Sequence, residues 1–254
     1  MAQIDNLAVQ LYSLRNLQLP FDEILGEVAK AGFSGVETVG SHNLSSSEMN
    51  ALLEKHKLKI CSSHVALQAL ESDFDSVCQF HKEVGNDTII VPWIAPEARS
   101  TSADGWQALG SKLAEFSKKL QEKGFRLLYH NHDFEMAEYD GKLAIDWLFA
   151  GAEGSALGFE PDIAWIVRGN QDPIAVLNRY KGRCPRAHVK DLAPAGENKD
   201  EDGWAHVGHG RLNWQELLPA AKAAGADWLV VEHDNPKDPI RFLKESADFL
   251  RTAL

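Results

Sequence analysis

The chain has 254 residues, 44% of them apolar and 25% charged, an ordinary balance for a globular protein with a sizeable core. Its formal charge of −11, from 26 basic and 37 acidic residues, argues against the concentrated basic face that sequence-independent nucleic-acid binding needs. No window approaches about eighteen consecutive apolar residues, and the N-terminus lacks a signal-peptide pattern, so neither membrane insertion nor secretion is expected.

Cys61, Cys78 and Cys184 are odd in number and lack C-x-x-C spacing, which fits reduced thiols in a cytoplasmic protein. In chain order, apolar β-rich runs alternate with amphipathic helical stretches. Strands are predicted at 8–12, 35–39, 59–63, 88–92, 127–130, 156–159, 186–189 and 229–232. The helices between and after them are predicted at 21–30, from the cap region 45–47 to 56, 74–84, 104–122, 143–149, 173–180, 214–224 and 239–251. Pro20 opens the first helix and Gly32 ends it, while Gly85 and Gly124 close others.

Eight strand–helix pairs in about 250 residues are the arithmetic of a closed (β/α)8 TIM barrel, expected here as a single domain over 1–254. The alternative, a doubly wound open sheet, usually carries a glycine-rich turn after its first strand. Here that turn is Ser13-Leu14-Arg15. The longest irregular stretch, 193–213, follows the seventh strand, where barrel enzymes place active-site loops.

In such a barrel the C-terminal strand ends meet on one rim. They read Tyr12, Glu37, His64, Trp93, His130 with His132, Glu160 with Asp162, His188 with Lys190, and Glu232 with Asp234. Nearly every one can ligate, titrate or stack. His130 and His132 fall on the same face of the fifth strand, with Asn131 opposite. His130, Asp162, His188 and Glu232 come from the last four strands, and two imidazoles with two carboxylates suit one divalent metal ion, Mn²⁺, Zn²⁺, Co²⁺ or Fe²⁺. The competing reading is that each carboxylate caps a helix, with Asp162 most exposed to it because 163–167 could begin one.

These residues resemble the xylose-isomerase-like barrels, in the branch of sugar-phosphate isomerases and epimerases. The resemblance runs through GFSGVE at 32–37, YHNHDFE at 129–135, D-x-x-W at 162–165, G-x-x-DP at 169–173, GRCPRAHVKD at 182–191, V-G-x-G-x-x-x-W at 207–214 and VVEHD at 230–234. It implies a Glu, Asp, His, Glu metal set, with Asp162, His188 and Glu232 in the last three places and Mn²⁺ as the first choice of ion. His130 stands where the family usually has its first Glu. In another register His132 is the ligand and His130 lies behind it.

The resemblance also implies proton exchange next to the carbonyl of a keto-sugar through a metal-stabilised enediolate, hence an isomerase or epimerase. Glu232 is then one catalytic base and His130 or His132 the other. A Glu/His pair equally suits β-elimination of an aglycone from a 3-keto-glycoside. An apurinic endonuclease or a non-catalytic sugar-binding subunit fits less well. Substrate contacts are expected from His64, Lys190, Trp93, Tyr12, Trp165 and His209. The expected partners are a small sugar substrate and further copies of the chain in a homo-oligomer.

Overall fold

The structure, a computed structural model, describes residues 3–254. Eight strands make one sheet: β1 (Ile4–Gln10), β2 (Phe33–Val39), β3 (Lys59–His64), β4 (Thr88–Val91), β5 (Arg126–His130), β6 (Gly158–Glu160), β7 (Arg186–Val189) and β8 (Trp228–Val231). Their order is β6-β5-β4-β3-β2-β1-β8-β7, all parallel. The ring closes between β6 and β7 through the bridge of Asp162 with His188, where the His188 amide donates to the Pro161 carbonyl at 2.9 Å. The expected eight-stranded barrel is therefore the observed fold.

Ten helices pack around it: α1 (Phe21–Ala31), α2 (Ser46–His56), α3 (Leu67–Ser72), α4 (Phe74–Glu83), α5 (Ala103–Glu122), α6 (Ala144–Gly151), α7 (Ile163–Arg168), α8 (Pro173–Arg179), α9 (Trp214–Ala224) and α10 (Pro239–Ala253). The local signals work as chemistry predicts. Ser45 and Glu48 form a reciprocal capping box on α2, and Gly32 ends α1 at φ 104°. The main apolar core lies between strands and helices and includes Val9, Phe33, Leu113, Phe159 and Phe242. On the opposite, inner face of the strands Ala8, Cys61 and Val230, with Trp228, form a separate small apolar cluster. A Cβ on Gly35 would stand 2.6 Å from the Trp228 ring, which is why the second strand carries glycine there.

Three expectations need correcting. The first strand ends at Gln10 rather than Tyr12, because residues Leu11–Leu14 wind into a 3-10 turn capped by the Gln10 side chain, which accepts from the Tyr12 amide at 3.0 Å. A separate helix, α3, precedes α4, with Leu67 and Leu70 buried. A further helix, α7, lies between the helices predicted at 143–149 and 173–180, where Asp162 caps it; elsewhere the predicted elements shift by a few residues at their ends.

Candidate active site

The β5 tip shows how one short motif builds a site. Tyr129 and Glu135 are buried beneath it, and Glu135 accepts the Tyr129 hydroxyl at 2.6 Å and the His132 amide at 2.8 Å. Burial pushes the Glu135 carboxyl up to about 7, against the hydrogen bonds that favour its charge. Asn131 faces the neighbouring tip, where its Oδ1 accepts the Asp162 amide at 3.0 Å. The alternate residues Tyr129, Asn131 and Glu135 are thus bonded to one another or to backbone. His130 and His132 are left to face the barrel mouth.

His130, Asp162, His188 and Glu232 converge, with one ligand atom from each within 4.8 Å of the others. His188 Nδ1 lies 3.1 Å from Glu232 Oε2 and 3.8 Å from Asp162 Oδ2. Asp162 serves both readings of it: Oδ1 caps α7 by accepting the Trp165 amide at 2.8 Å, while Oδ2 is buried with no hydrogen-bond partner. His130 Nδ1 is likewise buried without a hydrogen bond. Orphaned buried donor atoms of this mixed nitrogen and oxygen type fit a first-row divalent ion. His132 belongs to no such set, so the geometry groups His130 rather than His132 with the ligands.

A second set, His64, His130, Glu160 and His188, overlaps the first and shares both histidines. His64 Nε2 sits 2.9 Å from Glu37 and 3.2 Å from Glu160. Burial opposes the His64 imidazolium, yet the charges of Glu37 and Glu160 raise its pKa to about 9. Burial and the nearby Glu37 charge raise Glu160 to about 7. Asp162 rises to about 6 by burial, in spite of Lys190 and His188. Glu232 shows the opposite outcome: against burial, Lys190 and His188 hold it well below the usual carboxylate range. His132 falls to about 3 through burial and the Lys190 charge.

Above these groups opens a cavity of about 670 Å³. His64, His130, His132 and Glu232 line it, with Tyr12, Trp93, Trp165 and Trp204 as aromatic walls. Tyr12 and Trp93 are 42% and 44% exposed, large apolar faces turned to solvent. Trp165 tilts against His132 at 5.1 Å between ring centroids. His64, expected to touch a sugar hydroxyl, does reach the cavity, but its Nε2 is held between two carboxylates.

Two of the residues expected to contact substrate, Lys190 and His209, are not among those lining the cavity. Lys190 is wholly buried, with Nζ 2.6 Å from Asp234, 3.3 Å from Glu232 and 3.7 Å from Asp162, and the Trp204 ring 4.2 Å away. Its charge is taken up by the protein's own carboxylates. His209 lies outside the cavity because its glycine-rich turn is gathered elsewhere. The buried Asp191 carboxylate accepts the amides of Gly208 at 3.0 Å, Gly210 at 3.3 Å and Leu212 at 3.2 Å, and the Trp214 indole at 2.8 Å. A Cβ on Gly210 would sit 2.2 Å from Asp191 Oδ1, which requires glycine. What reaches the cavity from this loop is Asp202 and Trp204. Arg168, one turn after Trp165, donates to the Asp202 carbonyl at 2.6 Å and lies 3.4 Å over the Trp204 ring. Sequence reading missed Arg168 and Trp204, although the i, i+3 spacing of Trp165 and Arg168 and a tryptophan in a polar loop were visible signals.

Residues 25–253 match the family described as the xylose isomerase-like TIM barrel. The chain belongs to that family. Within curated proteins it is 21% identical over 261 residues to an inosose dehydratase of Lacticaseibacillus casei, covering 88% of this chain and 85% of that one. Its fold superposes on a sugar phosphate isomerase/epimerase of Parabacteroides distasonis with a TM-score of 0.81 at 20% identity, covering 99% and 96% of the two chains. A zinc-binding IolI protein gives a TM-score of 0.74 at 16% identity, covering 98% and 96%. At these identities the two structural matches establish the family's architecture only.

Proposed function

We propose that this chain is a divalent-metal-dependent enzyme that takes a proton from the carbon beside the carbonyl of a keto-sugar or related polyol ketone, with isomerisation or epimerisation as the outcome. The observation that carries this is the convergence of His130, Asp162, His188 and Glu232 under a cavity walled by aromatic rings. A divalent ion held by those four residues would polarise the substrate carbonyl and stabilise the negative charge that grows as the proton leaves. Mn²⁺ is the first choice, and the zinc in the IolI neighbour supports Zn²⁺ as well.

Glu232 lines the cavity and is held ionised by Lys190 and His188, so it serves as the base. His132, on the β5 side of the same cavity, stands at the other face; burial and the Lys190 charge disfavour its imidazolium, so it takes up a proton only where negative charge, from Glu232 or the substrate, develops beside it. Tyr12, Trp93 and Trp165 offer flat apolar surface to the C–H faces of a sugar ring. Lys190 acts from behind, as the counter-charge that lets Asp162, Glu232 and Asp234 stand close together.

A second reading is β-elimination of water or an aglycone, favoured by the similarity to an inosose dehydratase along most of both chains. Both readings begin with the same proton abstraction. Protein reconstituted with Mn²⁺ and incubated in D₂O with 3-keto-glucose, a 3-keto-glucoside and an inosose, followed by NMR, separates them. Deuterium incorporation with a new stereoisomer supports the isomerase or epimerase. Release of aglycone or formation of an unsaturated ketone moves the protein to the lyases. Carbon-bound protons that never exchange in any of these ketones would overturn the reading.

A further inference from the structure

Glu37, on β2, is a buried carboxylate that stands outside the four-residue set and away from the cavity wall. Its Oε1 accepts from Gln10 Nε2 at 2.7 Å and faces His188 Nε2 at 2.7 Å and His64 Nε2 at 2.9 Å; its Oε2 accepts the Ser62 hydroxyl at 2.5 Å. A carboxylate surrounded by N–H and O–H groups only accepts, so Nε2 of His188 carries a proton. The other ring nitrogen, Nδ1, is the atom that faces Glu232 and Asp162. A divalent ion taken at Nδ1 would displace the proton that faces Glu232 there, leaving Nε2–H, bonded to Glu37, as the ring's one remaining donor.

We propose that Glu37 is the residue that makes His188 a metal ligand: by holding the Nε2 proton it aims the Nδ1 lone pair at the space between Asp162 and Glu232 and raises the basicity of the ring. This rests on the metal reading given above. Glu160 also approaches His188 Nε2, at 3.3 Å, but Glu37 is nearer and is itself fixed from two sides. Gln10 holds it from β1 and Ser62 from β3. Strands that supply no ligand therefore orient one that sits across the barrel, as carboxylate–histidine–metal relays do elsewhere.

The test is a Co²⁺ titration of the metal-free full-length protein by calorimetry and visible absorption, with the apo unfolding midpoint measured alongside. Glu37→Gln keeps an oxygen for the Nε2 proton and removes the charge. The expected result is one Co²⁺ per chain in both proteins, bound about 10–100-fold more weakly by the variant, with a shifted visible band. Ser62→Ala, which loosens Glu37 without touching it, should weaken binding by a few fold, and it decides the matter if Glu37→Gln does not fold. Unchanged affinity and spectrum in a folded variant overturn the proposal. So do two Co²⁺ per wild-type chain falling to one in Glu37→Gln, because Glu37 would then itself be a ligand of the overlapping inner set. Wild-type protein that binds no Co²⁺ overturns the metal reading and this inference together.

Discussion

The two ends of the barrel bury charge in opposite ways. At the N-terminal end Arg186 is almost fully covered, and its guanidinium is fully engaged: with the Cys61 carbonyl at 2.8 and 3.0 Å, Thr88 Oγ1 at 3.4 Å, the Pro185 carbonyl at 3.0 Å and the Asp227 carboxylate. At the C-terminal end Glu37, Glu160, Asp162 and Glu232 are buried with Lys190 as the single buried ammonium among the described residues and His64 between Glu37 and Glu160, and Asp162 Oδ2, Glu160 Oε1 and His130 Nδ1 have no hydrogen bond. A satisfied buried ion serves the fold. An excess of buried acceptors serves something that is to be bound, at a cost in stability.

The sharpest way to break this comparison is to remove one group from each end. Glu232→Gln should lower the rate of deuterium exchange into substrate on the order of 10³-fold, as loss of a general base does, while the apo protein, with Asp162 and Asp234 still beside Lys190, loses no more than about 1 kcal/mol of unfolding free energy. A parallel loss of stability would show the rim to be structural. Arg186→Met should do the reverse. It leaves buried acceptors without their donors and should cost about 3 kcal/mol of unfolding free energy by urea titration, with the Co²⁺ affinity unchanged.

The comparison is sharpened by pH. His64 has its folded pKa raised to about 9 from an unfolded 6.5, so the folded state holds the extra proton between those values. Its contribution is present below about pH 6.5 and is lost as pH rises through about 9. The apo protein should therefore weaken by an amount of order 2 kcal/mol between pH 6.5 and 9, seen as a falling urea midpoint. Glu37→Gln should flatten the slope, since Glu37 is the larger of the two charges acting on His64. The smallest effect belongs to His209→Ala: less than about 0.5 kcal/mol in stability and no change in exchange rate, because the ring lies outside the cavity.

Much of the barrel was legible because each element is punctuated locally, by Pro20, Gly32, the Ser45 and Glu48 box, and Gly124, and because β4 and α9 carry clean apolar patterns. The four-residue donor set was legible for a topological reason: a closed parallel barrel brings every strand tip to one rim, so listing tips lists neighbours. What escaped were outcomes of how many groups arrive. Nothing in the spacing of His188 and Lys190 reveals that Asp162, Glu232 and Asp234 all converge on the lysine, and so a substrate cation was expected where a buried counter-ion stands. The Leu11-Tyr12 continuation reads as strand because the partner that stops it, the carboxylate of Glu37 bonded to Gln10, is 27 residues away. Asp191, which gathers the glycine loop and carries His209 off the site, looks in sequence like the ordinary end of a strand motif.

Asp162 divides its two oxygens between tasks, one on the first turn of α7 and one among the donor atoms. Helix α7 also carries Trp165 and Arg168, which form part of the cavity wall and hold the loop that brings Trp204. A ligand taken at Oδ2 would therefore share its carboxylate with the first turn of that wall. Occupancy at the bottom of the cavity and the shape of its entrance are one mechanical system, joined through a single carboxylate.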